Sequence, residues 1–429
     1  MKILVIGNGG RESAIIDKIM TSSRFGVEIY QWPSNTCLPG AIPFYPQTDD
    51  ISIMLERIRP RDFDLAVIGP ESPLVFGVGD HLRGKEIPVF GPGGLGAKIE
   101  GDKGYAKDFM RKYDIPTADF EIVFGYEEGV KYLEDAFFPK YIKAAGLALG
   151  KGAVKAESYD EGKRILRDIF IEKKYGHQEK AVIEEYLPGT EVSMLAFVMD
   201  ESYFLLPPAR DYKKAFDNDE GPNTGGMGCI APCYAGGFPD VSEAEKDDYK
   251  KWGNVIIGNA LKGFKKEGII YRGILYAGVI VNDAGYFVLE YNARFGDPET
   301  QSLLQLIDGD LSEILYKIAV GDFNISYSVK RDHYALTAIL AARGYPEKYG
   351  RNIHIIMPDT FPENVKIFPA GLRKENGKYL STGGRILGVT SIDPDLTALK
   401  KRVYDILETI SNEKTFFRKD IGSVYDKKT

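Results

Sequence analysis

The chain has 429 residues, 44% of them hydrophobic and 27% charged, and its 55 basic and 62 acidic side chains leave a net charge of −7. That length suits about three ordinary domains, each able to bury its own core. The composition excludes a membrane span, because no stretch approaches roughly 18 apolar residues, and it argues against a nucleic-acid surface held by electrostatics. The apolar start, Met1 to Ile6, is too short for a secretion signal. Three scattered cysteines, Cys37, Cys229 and Cys233, fit a reducing cytoplasm rather than a disulfide framework. Four dispersed histidines argue against zinc. Glycine is in excess, with 47 residues against a usual share of about 7%.

In chain order, Ile3–Ile6 reads as a strand that ends in Gly7-Asn8-Gly9-Gly10. Ala14, Ile15, Ile16, Ile19 and Met20 then line one helix face. Strands follow at Val27–Tyr30, Leu65–Ile68 and Ile87–Phe90, each closed by a turn. Alternation of this kind predicts parallel βαβ units with ligands at the strands' carboxyl ends. The first domain is placed at 1–102. Beyond it the pattern becomes α+β. A helix is expected over Asp102–Lys112 and a charged one over Asp160–Lys174. Strands are expected at Lys140–Lys143, Ala153–Ala156, Ala181–Glu185, Val192–Met199, Gly273–Val281 and Tyr286–Tyr291, the last two forming a hairpin. Asp297-Pro298 reads as an N-cap followed by a first helical proline, and Asp310-Leu-Ser-Glu313 has capping-box form. A strand-rich module begins near 328 and ends with a helix over Asp395–Ile410.

Four runs carry chemistry. Gly7 to Glu12 opens a helix after a strand, where free N–H groups suit an anion such as a sugar phosphate. The same glycines also suit a tight βα turn. A dinucleotide fold fails here, since Glu12 stands at the third glycine position and the second strand runs into Gln31-Trp32, not an acidic residue. Lys143 to Gly152 resembles a P-loop but has three residues, not four, between Gly146 and Gly150, and Gly152 where Ser or Thr should follow Lys151. Lying between two strands, it reads either as a loop closing over a triphosphate or as a mobile hairpin. Gly221 to Gly228, preceded by Arg210 to Lys214, reads as a binding loop with Asn223 and Thr224, or as a linker. In Leu289 to Glu299, strand alternation puts Glu290 and Asn292 on one face. A carboxylate and an amide oxygen suit magnesium, and Arg294 continues the alternation toward a transferred phosphoryl group. An edge strand with a solvated polar face is the alternative. Trp32 and Trp252 read as packing residues.

Taken in order, these runs resemble the phosphoribosylamine–glycine ligase family of ATP-grasp enzymes. Further matches are Gly69-Pro70-Glu71-Ser72-Pro73-Leu74, Glu100 to Lys103, Glu184 to Leu187, Gly344-Tyr345-Pro346, Thr382 to Arg385 and Arg418 to Gly422. The resemblance implies an α/β and α+β multidomain chain. Its parts would be an N-terminal Rossmann-like, pre-ATP-grasp domain (1–102), a two-lobed ATP-grasp clamp (103–327, lid about 120–190) and a C-terminal strand-rich domain (328–429). It implies ATP with Mg2+ or Mn2+, the substrates glycine and 5-phosphoribosylamine, and a cytoplasmic monomer that binds neither nucleic acid nor membrane. By the same resemblance, Lys103, Lys143, Gly146, Gly150, Lys151 and Gly152 would meet ATP phosphates. Glu184, Tyr186 and Leu187 would form the adenine hinge, mostly through backbone, and Glu191 would hold the ribose. Glu290 and Asn292 would bind metal, and Arg294, Asp297 and Asp211 would be catalytic. Gly9, Gly10 and Arg11 would hold the substrate phosphate, with Asn223, Thr224 and Gly225 beside the substrates.

The sequence departs from that pattern at Ser13 (usually His), Ala145 (usually Asp), Arg210 (usually Gln) and Tyr212 (usually His). Altered substrate-side details are expected. Two rivals stay open: an ATP-grasp ligase joining a different acid and amine, and a catalytically impaired nucleotide-binding homologue.

Overall fold

The computed structural model describes residues 1–48, 50–148, 152–234 and 242–423. Its first layer is a parallel five-stranded sheet in the spatial order Ala41–Pro43, Glu28–Trp32, Lys2–Ile6, Leu65–Ile68, Val89–Phe90. Ile3 to Ile6 are at most 1% exposed, as expected of a central strand covered on both faces. The helix Gly10–Ser22 follows directly. Three short helices, Glu71–Val75, Val78–Gly84 and Gly94–Gly101, were not expected from the sequence. Pro73 and the glycines around them obscure a helical period.

A second unit carries its own core. Strands Phe120–Val123, Ala181–Glu185, Lys140–Ala144 and Ala153–Ala156 form an antiparallel sheet in that order. Helices Tyr126–Glu134 and Tyr159–Phe170 cover it, burying Leu133, Ile142, Ile165, Leu166, Ile169 and Ile183. The second helix is shorter than expected and stops at Phe170.

The third sheet is antiparallel, ordered Ser202–Leu205, Thr190–Met199, Arg272–Asn282, Gly285–Asn292. The expected hairpin is its last pair, with Asn282 opposite Gly285. Phe197 of this sheet is 1% exposed and meets Phe90, Phe295 and Tyr327 at ring-centroid distances of 6.3, 6.0 and 5.9 Å. It thereby ties the first sheet to the turn after Asn292.

The fourth sheet crosses the expected boundary near 328. Arg210–Asp211 and Gly228–Ala231 pair into it beside Tyr334–Ala342, Arg385–Asp393 and Val365–Pro369. The substrate-loop region is therefore hydrogen-bonded to the C-terminal strands. Helix Leu396–Ile410 packs on this sheet, capped by Asp395. No helix among the described residues is long and apolar enough to cross a membrane.

One capping expectation is corrected and another holds. The helix after Asp297-Pro298 runs Glu299–Leu306 with Pro298 at its cap, and the Asp297 carboxylate bonds Gln301 and Arg385 instead. An ion pair to a distant arginine outcompetes the local cap. Asp310 does cap its helix by accepting from the Glu313 N–H. Its carboxylate also takes Ser312 and the Arg24 N–H.

Phe197→Ala should remove about 3–5 kcal/mol of stability, the usual range for truncating a buried aromatic. Denaturant titration checks this, and a change under 1 kcal/mol would show that the three rings repack around the gap.

Candidate active site

Strand Gly285–Asn292 carries a bulge: Gly278 faces Glu290 but Val279 faces Val288, leaving Leu289 as the extra residue. Below the bulge, Glu290 and Asn292 share a face, as the alternation predicted. Glu290 lies on the last strand of its sheet and is half-buried, with cations acting on it. Burial pushes its carboxyl upward, but Lys213, Lys143, Lys103 and Arg294, in that order of strength, hold it below the ordinary value. Lys143 donates to the carbonyl of the bulged Leu289 at 3.1 Å. Lys103 donates to the Gly146 carbonyl at 3.2 Å from the start of the helix Lys103–Lys112. Burial lowers its pKa, and Glu290 is the strongest opposing group.

Glu184 differs from its expected role. Its backbone is flanked by paired strands on both sides. Its side chain, 2% exposed, lies between Lys143 and Lys107 in two ion pairs. Burial raises its carboxyl, and Lys143 and then Lys107 bring it below the usual range. Burial pushes Lys107 down to about 8, against Glu184, and Lys107 also donates to Thr117 Oγ1 at 2.6 Å. Lys107 was missed in the sequence, although it lies four residues after Lys103 on one helix face. Tyr186 and Leu187 follow the strand's end, and Lys155 sits 4.1 Å above the Tyr186 ring. Gly146 donates to Gln178 Oε1 at 2.7 Å, and Gly152 accepts from Ala144 at 2.8 Å. Gly150 and Lys151 lie outside the described residues.

Arg294 contacts Glu100 at 2.9 Å, Glu71 at 3.4 Å and Asn292 Oδ1 at 3.3 Å. Two acidic side chains from the first hundred residues thus orient the guanidinium beside Glu290. Among the described residues, no group of three or more His, Cys, Asp or Glu side chains is placed to hold a metal. Glu290 and Asn292 offer one carboxylate and one amide oxygen. That donor set suits magnesium completed by phosphate oxygens better than an all-protein cage.

On the other side, Asp211 and Lys213 point one way and Tyr212 the other. Lys213 donates to Glu191 Oε2 at 2.5 Å. The Tyr212 hydroxyl accepts from the Gly422 N–H at 3.1 Å inside the C-terminal core. The residue at this departure therefore faces away from the site. Glu191, Ser193, Asp211, Lys213 and Tyr276 line a small cavity. Asp211 Oδ1 is buried without a partner, and burial followed by Glu299 pushes the carboxyl well above its ordinary value. Gly226 has φ +102°, and a Cβ there would lie 2.8 Å from Asp211 Oδ1, so only glycine fits. Thr224 accepts from the Gly226 N–H at 3.0 Å, Asn223 pairs with Lys214, and Gly225 donates to the Tyr345 hydroxyl at 3.0 Å.

The first glycine loop makes internal contacts. The Gly9 N–H donates to Glu12 Oε2 at 2.7 Å. Arg11, 7% exposed, donates to Glu12 Oε1 and to the Phe295 carbonyl. Both are engaged internally, because Glu12 supplies the anion at this helix start. Gly10 borders Asp297 and Gln301: a Cβ there would lie 3.6 Å from Asp297 Oδ1 and 2.6 Å from Gln301 Nε2. Ser13 is fully buried and its hydroxyl lies 2.5 Å from the Pro369 carbonyl. Ala145 lies on the nucleotide side, accepting from the Lys103 N–H.

Family models for phosphoribosylglycinamide synthetase match the chain in three consecutive parts: the N domain over 1–100, the ATP-grasp (A) domain over 101–300 and the C domain over 335–424. The chain belongs to the phosphoribosylglycinamide synthetase family. Members similar to it include a phosphoribosylamine–glycine ligase of Leptospira interrogans, 42% identical with 98% of each chain covered. Another, from Lactococcus lactis, is 37% identical with 99% of each covered. The crystal structure of the Thermotoga maritima phosphoribosylamine–glycine ligase superposes with a TM-score of 0.84 at 31% identity, covering 98% of this chain and 100% of that one. A biotin carboxylase domain from Hydrogenobacter thermophilus, solved with MgADP, shares the fold at 16% identity and a TM-score of 0.74, covering 97% and 91%.

Glu184→Gln should leave Lys107 and Lys143 buried without their counter-charge and cost about 3–5 kcal/mol at neutral pH. Because folding lowers this carboxyl, its stabilisation is complete above the ordinary carboxylate range and fades as pH falls through the lower folded value. The variant should therefore lose less stability on acidification than the parent. Parallel acid titrations of the two proteins check this, and an equal or larger loss in the variant would refute the role.

Proposed function

We propose that the chain joins glycine to 5-phosphoribosylamine at the expense of ATP, giving glycinamide ribonucleotide, ADP and phosphate through a glycyl phosphate. The single observation that carries the reading is Glu290, its carboxyl held below the ordinary value by four cations, in a chain that matches this family over 1–300 and 335–424. A carboxylate resists attack by an amine until its oxygen becomes a leaving group, so phosphoryl transfer must come first. Lys103 and Lys143 supply point charges for the ATP phosphates. The loop around Gly146 closes over them. Tyr186 and Leu187 border the adenine, and Glu191 reaches the ribose once Lys213 releases it. Glu290 and Asn292 would hold Mg2+ or Mn2+, which when bound screens phosphate charge and polarises the transferred group. Arg294, oriented by Glu71 and Glu100, adds fixed positive charge beside the reacting phosphoryl group.

One glycine carboxylate oxygen takes the γ-phosphoryl group and ADP departs. The amine nitrogen then bonds to the carbonyl carbon as the carbon–oxygen bond to phosphate breaks. Asp211 is suited to receive an ammonium group, since a cation beside its buried, unpartnered oxygen would offset the burial that raises its carboxyl. Asp297, with Gly10, Asn223, Thr224 and Gly225, borders the space for the amine substrate. We read 1–102 as the substrate domain, 103–327 as the clamp and 328–429 as the C-terminal domain, in a cytoplasmic monomer that binds neither nucleic acid nor membrane. The order of the family matches, over 1–100, 101–300 and 335–424, supports the division, and the free thiols suit a cytoplasmic setting.

ADP release measured with ATP, magnesium, glycine and fresh phosphoribosylamine should require both substrates. Turnover with another amino acid but not glycine would overturn the substrate assignment. ATP binding without turnover would favour an impaired homologue. Glu290→Ala should lower kcat by at least on the order of 100-fold with the fold intact by circular dichroism. Full activity would remove the metal role.

A further inference from the structure

Arg385 belongs to the C-terminal sheet, yet its guanidinium reaches out of that sheet into the space between two loops of the site. One nitrogen donates to the carbonyls of Gly225, Gly226 (3.4 Å) and Asp297 (3.0 Å), and another donates to Asp297 Oδ2 at 2.9 Å. Four acceptors on two separate loops thus converge on one side chain. Tyr345, from the same module, adds a fifth contact by accepting from the Gly225 N–H. The pieces so joined matter. Gly226 lies against the unpartnered Asp211 oxygen, and Asp297 lies against Gly10 at the mouth of the first glycine loop. The contacts of the nucleotide lysines, Lys103 and Lys143, are with Gly146, Leu289 and Glu184 instead.

We propose that Arg385 is a positioning residue for the amine substrate: it locks the 224–226 loop and Asp297 into one rigid wall, making the C-terminal module part of the ligation site. This rests on the ligase reading above. A planar fork with several donors can hold divergent carbonyls and a carboxylate together. A lysine at the same place keeps the charge near Asp297 but cannot span all four acceptors. Loss of the wall misplaces the attacking amine relative to the acyl carbon, and small misplacements there are costly to rate.

The test compares wild type, Arg385→Lys and Tyr345→Phe in the two-substrate ADP assay, with folding followed by circular dichroism and thermal melting. Arg385→Lys should lower kcat/KM for phosphoribosylamine by about tenfold or more, with KM for ATP within about twofold. Tyr345→Phe should show the same split more weakly. Arg385→Lys kinetics equal to wild type would overturn the proposal. So would a loss carried by KM for ATP, or one that matches the fraction unfolded. Should wild type itself show no two-substrate turnover, the ligase reading falls and this inference with it. A working wild type beside an unaffected Arg385→Lys overturns the inference alone.

Discussion

Glu290 is a half-buried carboxylate held below its ordinary pKa by Lys213, Lys143, Lys103 and Arg294, and each cation arrives from a different part of the chain. Lys103 begins a helix, Lys143 stands on the strand of a separately cored unit, Lys213 follows the strand Arg210–Asp211, and Arg294 lies past the end of Glu290's own strand. Withdrawing a carboxylate from water is unfavourable without such partners, and Lys143, the most buried of the four cations, needs counter-charge for the same reason. The cluster's outer members have their own counter-charges: Glu184 for Lys143, Glu191 for Lys213, Glu71 and Glu100 for Arg294. Counting Lys107 beside Glu184, five cations face five carboxylates, so the cluster is charge-balanced.

This balance explains the contacts that several of these residues make. Glu184 turns its side chain inward between two buried lysines. Glu191 pairs with Lys213. Arg11 and the Gly9 N–H are both satisfied by Glu12, whose carboxylate fits because Gly7 and Gly69 leave room for it: a Cβ at either position would come within 2.7 Å of the Glu12 side chain. Among the departures, Ser13 and Tyr212 are packing and hydrogen-bonding residues at the C-terminal module. Ala145 belongs to the backbone support of Lys103.

Much of this was legible in the residue order. Leu65–Ile68, Ala153–Ala156 and Ala181–Glu185 form strands at the expected bounds, because short apolar runs between turn residues leave little freedom. The shared face of Glu290 and Asn292 followed from strand alternation alone. Long-range information was not legible. Arg385 captures Asp297 across 88 positions and so moves a helix start. The strands Arg210–Asp211 and Gly228–Ala231 join the C-terminal sheet, although the glycine-rich stretch between them also reads as a linker. Lys107, Glu71 and Glu100 are ordinary charged residues until the fold brings their partners to them.

The central claim is that phosphate leaves from an activated glycine carboxylate. The most direct measurement supplies glycine with both carboxylate oxygens labelled with oxygen-18 and analyses the inorganic phosphate by mass spectrometry. The account predicts one labelled oxygen in each phosphate released, carried over from the acyl phosphate. Unlabelled phosphate accompanying full formation of glycinamide ribonucleotide would contradict it.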